Sequence, residues 1–374
     1  MLSGRKLTKA RRISVLLYGY IHGEGGIQTH TRYLAEGLRE RGHSVKIISP
    51  APMISHDHSE EGLNSGLEYG TYRSVRDLVH AVRSGGSDVI VIVGTGWKAM
   101  AAALMARRTC KKIFFEVMSG ARNSGMDPRS LVNFGFDAVV GQGSSVTRRF
   151  AKEFGWRGST TTIPALPEPL ESFGPIPRRS LRDTTNGIRF AHFGRLAEHK
   201  NVALLVDRFN DYAPPGSILD IWGGGSNSEA ISTLIEKNGL GGAIRMRGRY
   251  PEGRAYIELL QSYDLKLLPT VGEEGAPLVL LEAMACGLPF VANGVGGIPD
   301  YDNPDCVITN GNIGDFIPSV IAMVQRLRSN DIDAARLQCC YEDRFSYKRL
   351  VDRWEDMLTS AVRGTDAHGR RRVT

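Results

Sequence analysis

Nothing in this sequence approaches the run of about eighteen apolar residues that a membrane-spanning helix needs. Cysteine is sparse: Cys110, Cys286, Cys306, Cys339 and Cys340 are scattered without C-x-x-C spacing, which argues against a disulfide framework and against a zinc site. The basic start (Arg5, Lys6, Lys9, Arg11, Arg12) leads into Ile13–Leu17, an apolar stretch too short for a signal-peptide core. These absences imply a soluble, cytoplasmic chain in a reducing compartment. The D-x-D at Asp331-Ile332-Asp333 falls between helical stretches and not at a strand end, and no metal is expected. A formal charge of +7 and a pI near 9.2 raise the question of nucleic acid, yet no nucleic-acid motif accompanies them, and nucleic acid is not an expected partner.

What is present is an alternation of strands and helices too long for one core. At 374 residues, 41% hydrophobic, two domains are expected. Ile13–Tyr18 is an apolar strand, followed by a glycine-rich stretch to Gly26, a helix from Gln28 to Arg41, a glycine stop and a strand at Val45–Ser49. This β-loop-α-β order opens a parallel, doubly wound sheet. Residues 50–72 lack periodicity and are expected to be irregular. Strands at Asp88–Val93, Lys112–Val117 and Ala138–Gly141 alternate with helices at Trp97–Arg108 and Thr147–Glu153. Five prolines between Ile163 and Pro177 exclude regular structure there, which puts a linker at about 166–187 between domains at 1–165 and 188–345. Residues 346–374 are expected to be a terminal helix and a disordered basic tail ending in Arg370–Arg372.

The second half is organised around Glu273-Glu274-Gly275-Ala276-Pro277-Leu278-Val279-Leu280-Leu281-Glu282-Ala283-Met284-Ala285-Cys286-Gly287. From Pro277 to Ala285 only Val279 is β-branched, and Gly287 supplies a stop, so the stretch is expected to be a helix with Pro277 in its first turn. The free N–H groups of Leu278 and Val279 make its start an anion site. Glu274 stands just outside and Glu282 about two turns in, so a diphosphate at the helix start would lie between two carboxylates suited to hydroxyl groups. An ordinary buried helix with glutamates reaching solvent fits the same letters. Arg195 and Lys200 flank a strand-to-helix loop, where a guanidinium fork and an ammonium can close on a diphosphate. Gly223-Gly224-Gly225 follows another strand, but no acidic residue closes the strand after it, at Ala243–Met246, as a dinucleotide fold would require.

Taken together these motifs resemble the retaining glycosyltransferases of family 4. E-x7-E followed by A-M-A-C-G-x-P resembles their donor-binding signature, and G-R-L-x-x-x-K-N at 194–201 their phosphate clamp. G-G-I-x-x-H and L-A-x-x-L-x-x-R-G-H-x-V at 25–45 resemble their first loop and helix, in which the paired glycines, here Gly25 and Gly26, lie against donor phosphate and acceptor. The resemblance implies the GT-B architecture: two Rossmann-like domains facing each other across a cleft, with the last helix crossing back to the first. It implies metal-independent transfer of a hexosyl group from a UDP- or GDP-sugar to an acceptor hydroxyl. Glu274 would hold the sugar and Glu282 the ribose. Gly224 would line the donor, and Gly248-Arg249-Tyr250 would hold the base. Arg195, Lys200, Leu278 and Val279 would steady the departing diphosphate.

Two features depart from the family. Met118 stands where many members carry a histidine, and Ala276-Pro277 where a glycine and an aromatic residue are usual. The acceptor would be a glycan, a glycolipid or a small molecule. A non-catalytic sugar-nucleotide-binding subunit is the alternative that Met118 favours; a phosphorylase-like enzyme finds no marked pyridoxal lysine. Lys98, Arg107, Arg108, Lys111 and Lys112 border the alanine-rich stretch 97–108 and would suit an anionic membrane's inner face; a solvated basic face is the plainer reading of the same residues.

Overall fold

A computed structural model describes residues 9–17, 19–22, 25–51, 66–272 and 274–368, with side chains as far as residue 362. Glu273, residues 52–65 and the arginine tail lie outside the described residues. The chain divides into two compact units, residues 1–166 with 347–374, and residues 167–346. No helix among the described residues is long and apolar enough to cross a membrane.

The first unit runs β1 (Arg12–Leu17), α1 (Gly26–Glu40), β2 (Ser44–Pro50), β3 (Glu68–Tyr72), α2 (Val75–Ser84), β4 (Val89–Val93), α3 (Trp97–Leu104), β5 (Lys111–Glu116), β6 (Ala138–Gly141), α4 (Ser144–Phe154) and β7 (Ser159–Thr162). Its seven strands are ordered β3-β2-β1-β4-β5-β6-β7, all paired in parallel. A parallel sheet is covered on both faces, which is why β4 reads as an unbroken Val-Ile-Val-Ile-Val, every residue buried. Alternation sends Phe114 of β5 to Phe150 of α4, ring centroids 5.5 Å apart, and Phe115 the other way to His30 of α1, 4.3 Å apart. The stretch expected to be irregular up to residue 72 ends in a strand. β3 is an edge strand in which only Tyr72 is buried, so its polar sequence carries no core pattern. The helix α2 that follows starts with a capping box between Ser74 and Asp77.

The second unit runs β8 (Arg189–Phe193), α5 (Ala203–Asp207), α6 (Phe209–Tyr212), β9 (Ile218–Trp222), α7 (Ser228–Lys237), β10 (Ile244–Gly248), α8 (Gly253–Gln261), β11 (Leu265–Leu268), α9 (Leu278–Ala285), β12 (Phe290–Ala292), β13 (Val307–Ile308), α10 (Phe316–Arg328) and α11 (Ala334–Arg344). Six parallel strands are ordered β10-β9-β8-β11-β12-β13. The helix expected from Val202 is two short ones broken at Arg208. Pro277 is not in the first turn of α9 but caps it, with extended backbone at ψ 120°. A final helix, α12 (Tyr347–His368), packs in the first unit, where Trp354 is fully buried and Asp352 accepts from Arg41 at 2.6 Å.

Each unit seals a histidine in its core. His30 accepts the Leu166 N–H on Nδ1 at 3.0 Å, while His192 of β8 donates Nδ1–H to the Leu267 carbonyl at 3.1 Å; neither Nε2 has a partner among the described residues. Burial pulls both imidazoles down to about 3. An unfolded histidine titrates near 6.5, so between about 6.5 and 3 the unfolded chain binds protons that the folded chain refuses. Stability is therefore complete above that window and falls as pH drops through it, by about 1.4 kcal/mol per pH unit for each histidine. Denaturant unfolding of His192→Asn between pH 7 and 5 is expected to show a shallower loss of midpoint than the wild type, and an unchanged slope would contradict this assignment.

Candidate functional site

In the second unit the strand order reverses between β8 and β11, which are neighbours in the sheet. From β8 the chain winds towards β10, and from β11 towards β13, so the loops leaving their carboxyl ends diverge and open a crevice. The loop after β8 carries Arg195 and Lys200; the loop after β11 carries Glu274 and feeds α9. Val271 N–H donates to the His199 carbonyl at 2.7 Å, tying the two loops together. The Lys200 ammonium pairs with Glu274 Oε2, and both side chains are only 13% exposed. A cation and a carboxylate 74 positions apart are thus brought into one ion pair. Arg195 is exposed beside them and makes no ion pair among the described residues.

Backbone packing sets these positions. Leu196 N–H donates to the Gly224 carbonyl at 2.9 Å, Gly194 N–H to Trp222 at 3.1 Å, and Gly223 N–H to Gly248 at 2.6 Å. At Gly223, φ is +119° and a Cβ would lie 1.9 Å from the Gly194 carbonyl oxygen, so only glycine lets the loops after β8 and β9 approach so closely. Across the crevice a Cβ on Gly296 would meet the Glu274 carbonyl oxygen at 1.9 Å, and Gly297 N–H donates to Gly275 at 2.6 Å. The loop after β12 therefore backs the segment that presents Glu274. Gly224 is different: a Cβ there would meet nothing within 4 Å, so no neighbour requires it to be glycine and its surface lies open.

No side chain caps α9, and its first-turn residues Leu278 and Val279 are half-buried with their N–H groups at the crevice end. Lys266 of β11 donates from Nζ to the Val279 carbonyl at 2.5 Å and lies 5.0 Å from the centroid of the Phe193 ring. Glu282 is 8% exposed, and its Oε2 accepts from the Tyr256 hydroxyl at 2.7 Å. Tyr256 stacks on Tyr250, ring centroids 5.0 Å apart, which links Glu282 to the loop after β10. Burial pushes Lys266 down to about 7, and the negative field of Glu282 pulls it back; burial pushes Glu282 up, opposed by Lys266 and Tyr256. Glu282 is therefore open to a ligand only over a small area. Lys266 and Tyr256 were not anticipated as site residues, whereas Tyr250 stands in the segment expected at the base. The signal for Lys266 was there: one charge in the core strand Leu-Lys-Leu-Leu.

The other expected residues sit on other elements. Arg249 pairs with Glu252 at 2.7 Å on an exposed turn beyond β10. Gly25 and Gly26 belong to the first unit, where Gly25 caps α1 at φ +147° and its carbonyl accepts the Thr29 N–H at 3.1 Å. Met118 follows β5 and donates its N–H to Glu116 at 2.7 Å; Glu116 is buried against Arg129 at 3.0 Å. Asp333 caps α11 and Asp331 pairs with Arg326.

The Lys266 and Glu282 charges share one dry compartment, so removing one exposes the cost of the other. Lys266→Met is expected to lower the thermal midpoint more than Lys266→Met/Glu282→Leu does, because the single variant strands a buried carboxyl. A double variant no more stable than the single would show that the two charges are uncoupled.

Comparison with known proteins agrees with this architecture. The family described as "Glycosyl transferases group 1" matches residues 187–326, and "Glycosyl transferase 4-like domain" matches residues 25–164, together about three quarters of the chain. The chain is similar to an exopolysaccharide phosphotransferase of Streptomyces coelicolor, 28% identical over 218 residues that make up 54% of this chain and 21% of that protein. It is similar to the alpha-maltose-1-phosphate synthase of Mycolicibacterium smegmatis, 28% identical over 214 residues, 52% of this chain and 53% of that one. It thus spans about half, or less, of the length of these curated relatives. Among solved structures, Anabaena HepE in complex with UDP superposes with a TM-score of 0.77 at 16% identity, covering 93% of this chain and all of that one, a likeness of fold.

Proposed function

The chain belongs to the group 1 glycosyltransferases, and we propose that it moves a hexosyl group from a nucleoside diphosphate sugar to an acceptor hydroxyl with retention of the anomeric configuration. The observation that carries this reading is the gathering of Arg195, Lys200, Glu274 and the uncapped start of α9 at one switch point. Departure of a nucleoside diphosphate builds negative charge on its oxygens. The exposed guanidinium fork of Arg195, the Lys200 ammonium and the N–H groups of Leu278 and Val279 offset that charge. Glu274, steadied from behind by Gly296 and Gly297, accepts hydrogen bonds from sugar hydroxyls. Glu282 takes the ribose, with Tyr256 fixing the carboxylate. Glu274 is already committed to Lys200 and is not a free nucleophile, which favours a front-face reaction in which the leaving phosphate takes the acceptor's proton.

The donor cations make a metal unnecessary in this reading. UDP is the first nucleotide to try, since a protein of the same fold holds it, and GDP the second. The exopolysaccharide name of one relative supports a cell-surface glycan or glycolipid as acceptor, with the chain at the cytoplasmic side of the membrane. The second reading, a sugar-nucleotide-binding subunit without turnover, is favoured by Met118. Release of nucleoside diphosphate from a panel of donors, with and without a lipid extract, separates the two: binding without release under every condition would replace the first reading by the second.

Arg195→Ala and Lys200→Ala are each expected to cost about 2–4 kcal/mol in kcat/KM with the protein still folded. Near-normal turnover in both would remove the clamp assignment. The two glutamates should separate by calorimetry. Glu274→Ala is expected to reduce turnover while keeping affinity for free UDP or GDP, whereas Glu282→Ala weakens that affinity by about 1.5–3 kcal/mol. Equal losses of diphosphate affinity would mean that the donor lies differently.

A further inference from the structure

We propose that the outer face of α2 and α3 in the first unit, with the 3-10 turn Pro128–Phe134 beside it, docks the protein on a bilayer that carries anionic headgroups. This inference does not rest on the reading of the donor site. Seven large hydrophobic side chains stand exposed among the described residues, and five of them fall within residues 75–134: Val75, Trp97, Met105, Met126 and Phe134, the last 74% exposed. Val75 and Met105 line one groove of about 350 Å³ with Val79, His80, Arg76 and Arg83, and Arg83 donates from Nε to the Met105 carbonyl at 2.9 Å. Phe134 closes the turn next to α3, where a Cβ on the following Gly135 would lie 3.5 Å from Leu104.

Charge selects the occupant. Residues 75–134 hold nine Lys and Arg against four carboxylates. All four carboxylates are spent: Asp77 caps α2, Asp88 holds Arg12, and Glu116 and Asp127 are buried on Arg129. Two of the cations first assigned to this patch turn away from it. Lys112 is buried with Nζ on the Cys110 carbonyl, and Lys111 pairs with Asp137 at 2.7 Å. Lys98, Arg107 and Arg108 remain exposed without ion pairs among the described residues, beside Trp97 and Met105. Cations attract anionic headgroups within about 10 Å at 0.1 M salt, while exposed aromatic and thioether side chains enter the interfacial layer. A polyanion such as nucleic acid satisfies the arginines but gives Phe134 and Met105 nothing to enter.

Flotation of the full chain with phosphatidylcholine vesicles, with and without phosphatidylglycerol, tests this. The wild type is expected to float with the anionic vesicles only, and less as salt rises. Arg107→Glu/Arg108→Glu is expected to weaken that binding about tenfold or more. Met105→Ser/Phe134→Ser should also weaken it and leave a remainder that high salt abolishes, with both variants keeping the wild-type thermal midpoint. No flotation at low salt would overturn the proposal, as would equal binding to neutral vesicles. If Met105→Ser/Phe134→Ser floats as well as the wild type and duplex DNA displaces both, the face is a polyanion surface and the bilayer is rejected.

Discussion

The candidate site depends on how closely four strand-end loops can approach one another. Gly223 lies against the Gly194 carbonyl, and Gly296 against the Glu274 carbonyl, at separations that no Cβ permits. The first contact fixes the loop bearing Arg195 and Lys200 against the loop after β9, and the second fixes the segment that presents Glu274. Since neither depends on a long side chain, the charged groups are held by backbone, and the rigid sheet edge sets the distance between clamp and carboxylate. Precision of this kind suits transition-state stabilisation, where donors must stand in place before charge develops.

Beneath this rigid layer is a compartment that works against stability. Lys266 and Glu282 are buried in the core face of β11 and α9, where desolvation disfavours the charged form of each. Their mutual attraction, the Val279 carbonyl and the Tyr256 hydroxyl recover part of that cost. A core filled with leucine would be simpler. That charges persist under the first turn of α9 fits a role in setting the direction of Glu282 and the field at the helix start, which is where the diphosphate is proposed to lie.

Sequence reasoning recovered what local rules determine. Gly287 ends α9 at φ +67°, as a glycine stop should, and the apolar runs of β4 and β8 are strands because parallel strands are buried on both faces. It failed where the deciding partner lies far along the chain. Lys111 and Lys112 looked like surface cations, but Asp137 at the start of the neighbouring strand captures one and the sheet covers the other. β3 escaped notice because an edge strand with one buried residue has no period to read. Tyr256 reaches Glu282 across 26 positions, a contact that no spacing rule anticipates.

The central claim is that the nucleoside diphosphate lies at the switch point of the second unit, between the loops after β8 and β11. Amide hydrogen exchange of the full chain with and without UDP, and then GDP, tests it most directly. Slower exchange is predicted at residues 194–201, 223–227 and 274–281, where ligand would cover the loops and the start of α9. Unchanged exchange across all three segments at a concentration where calorimetry shows binding would contradict it.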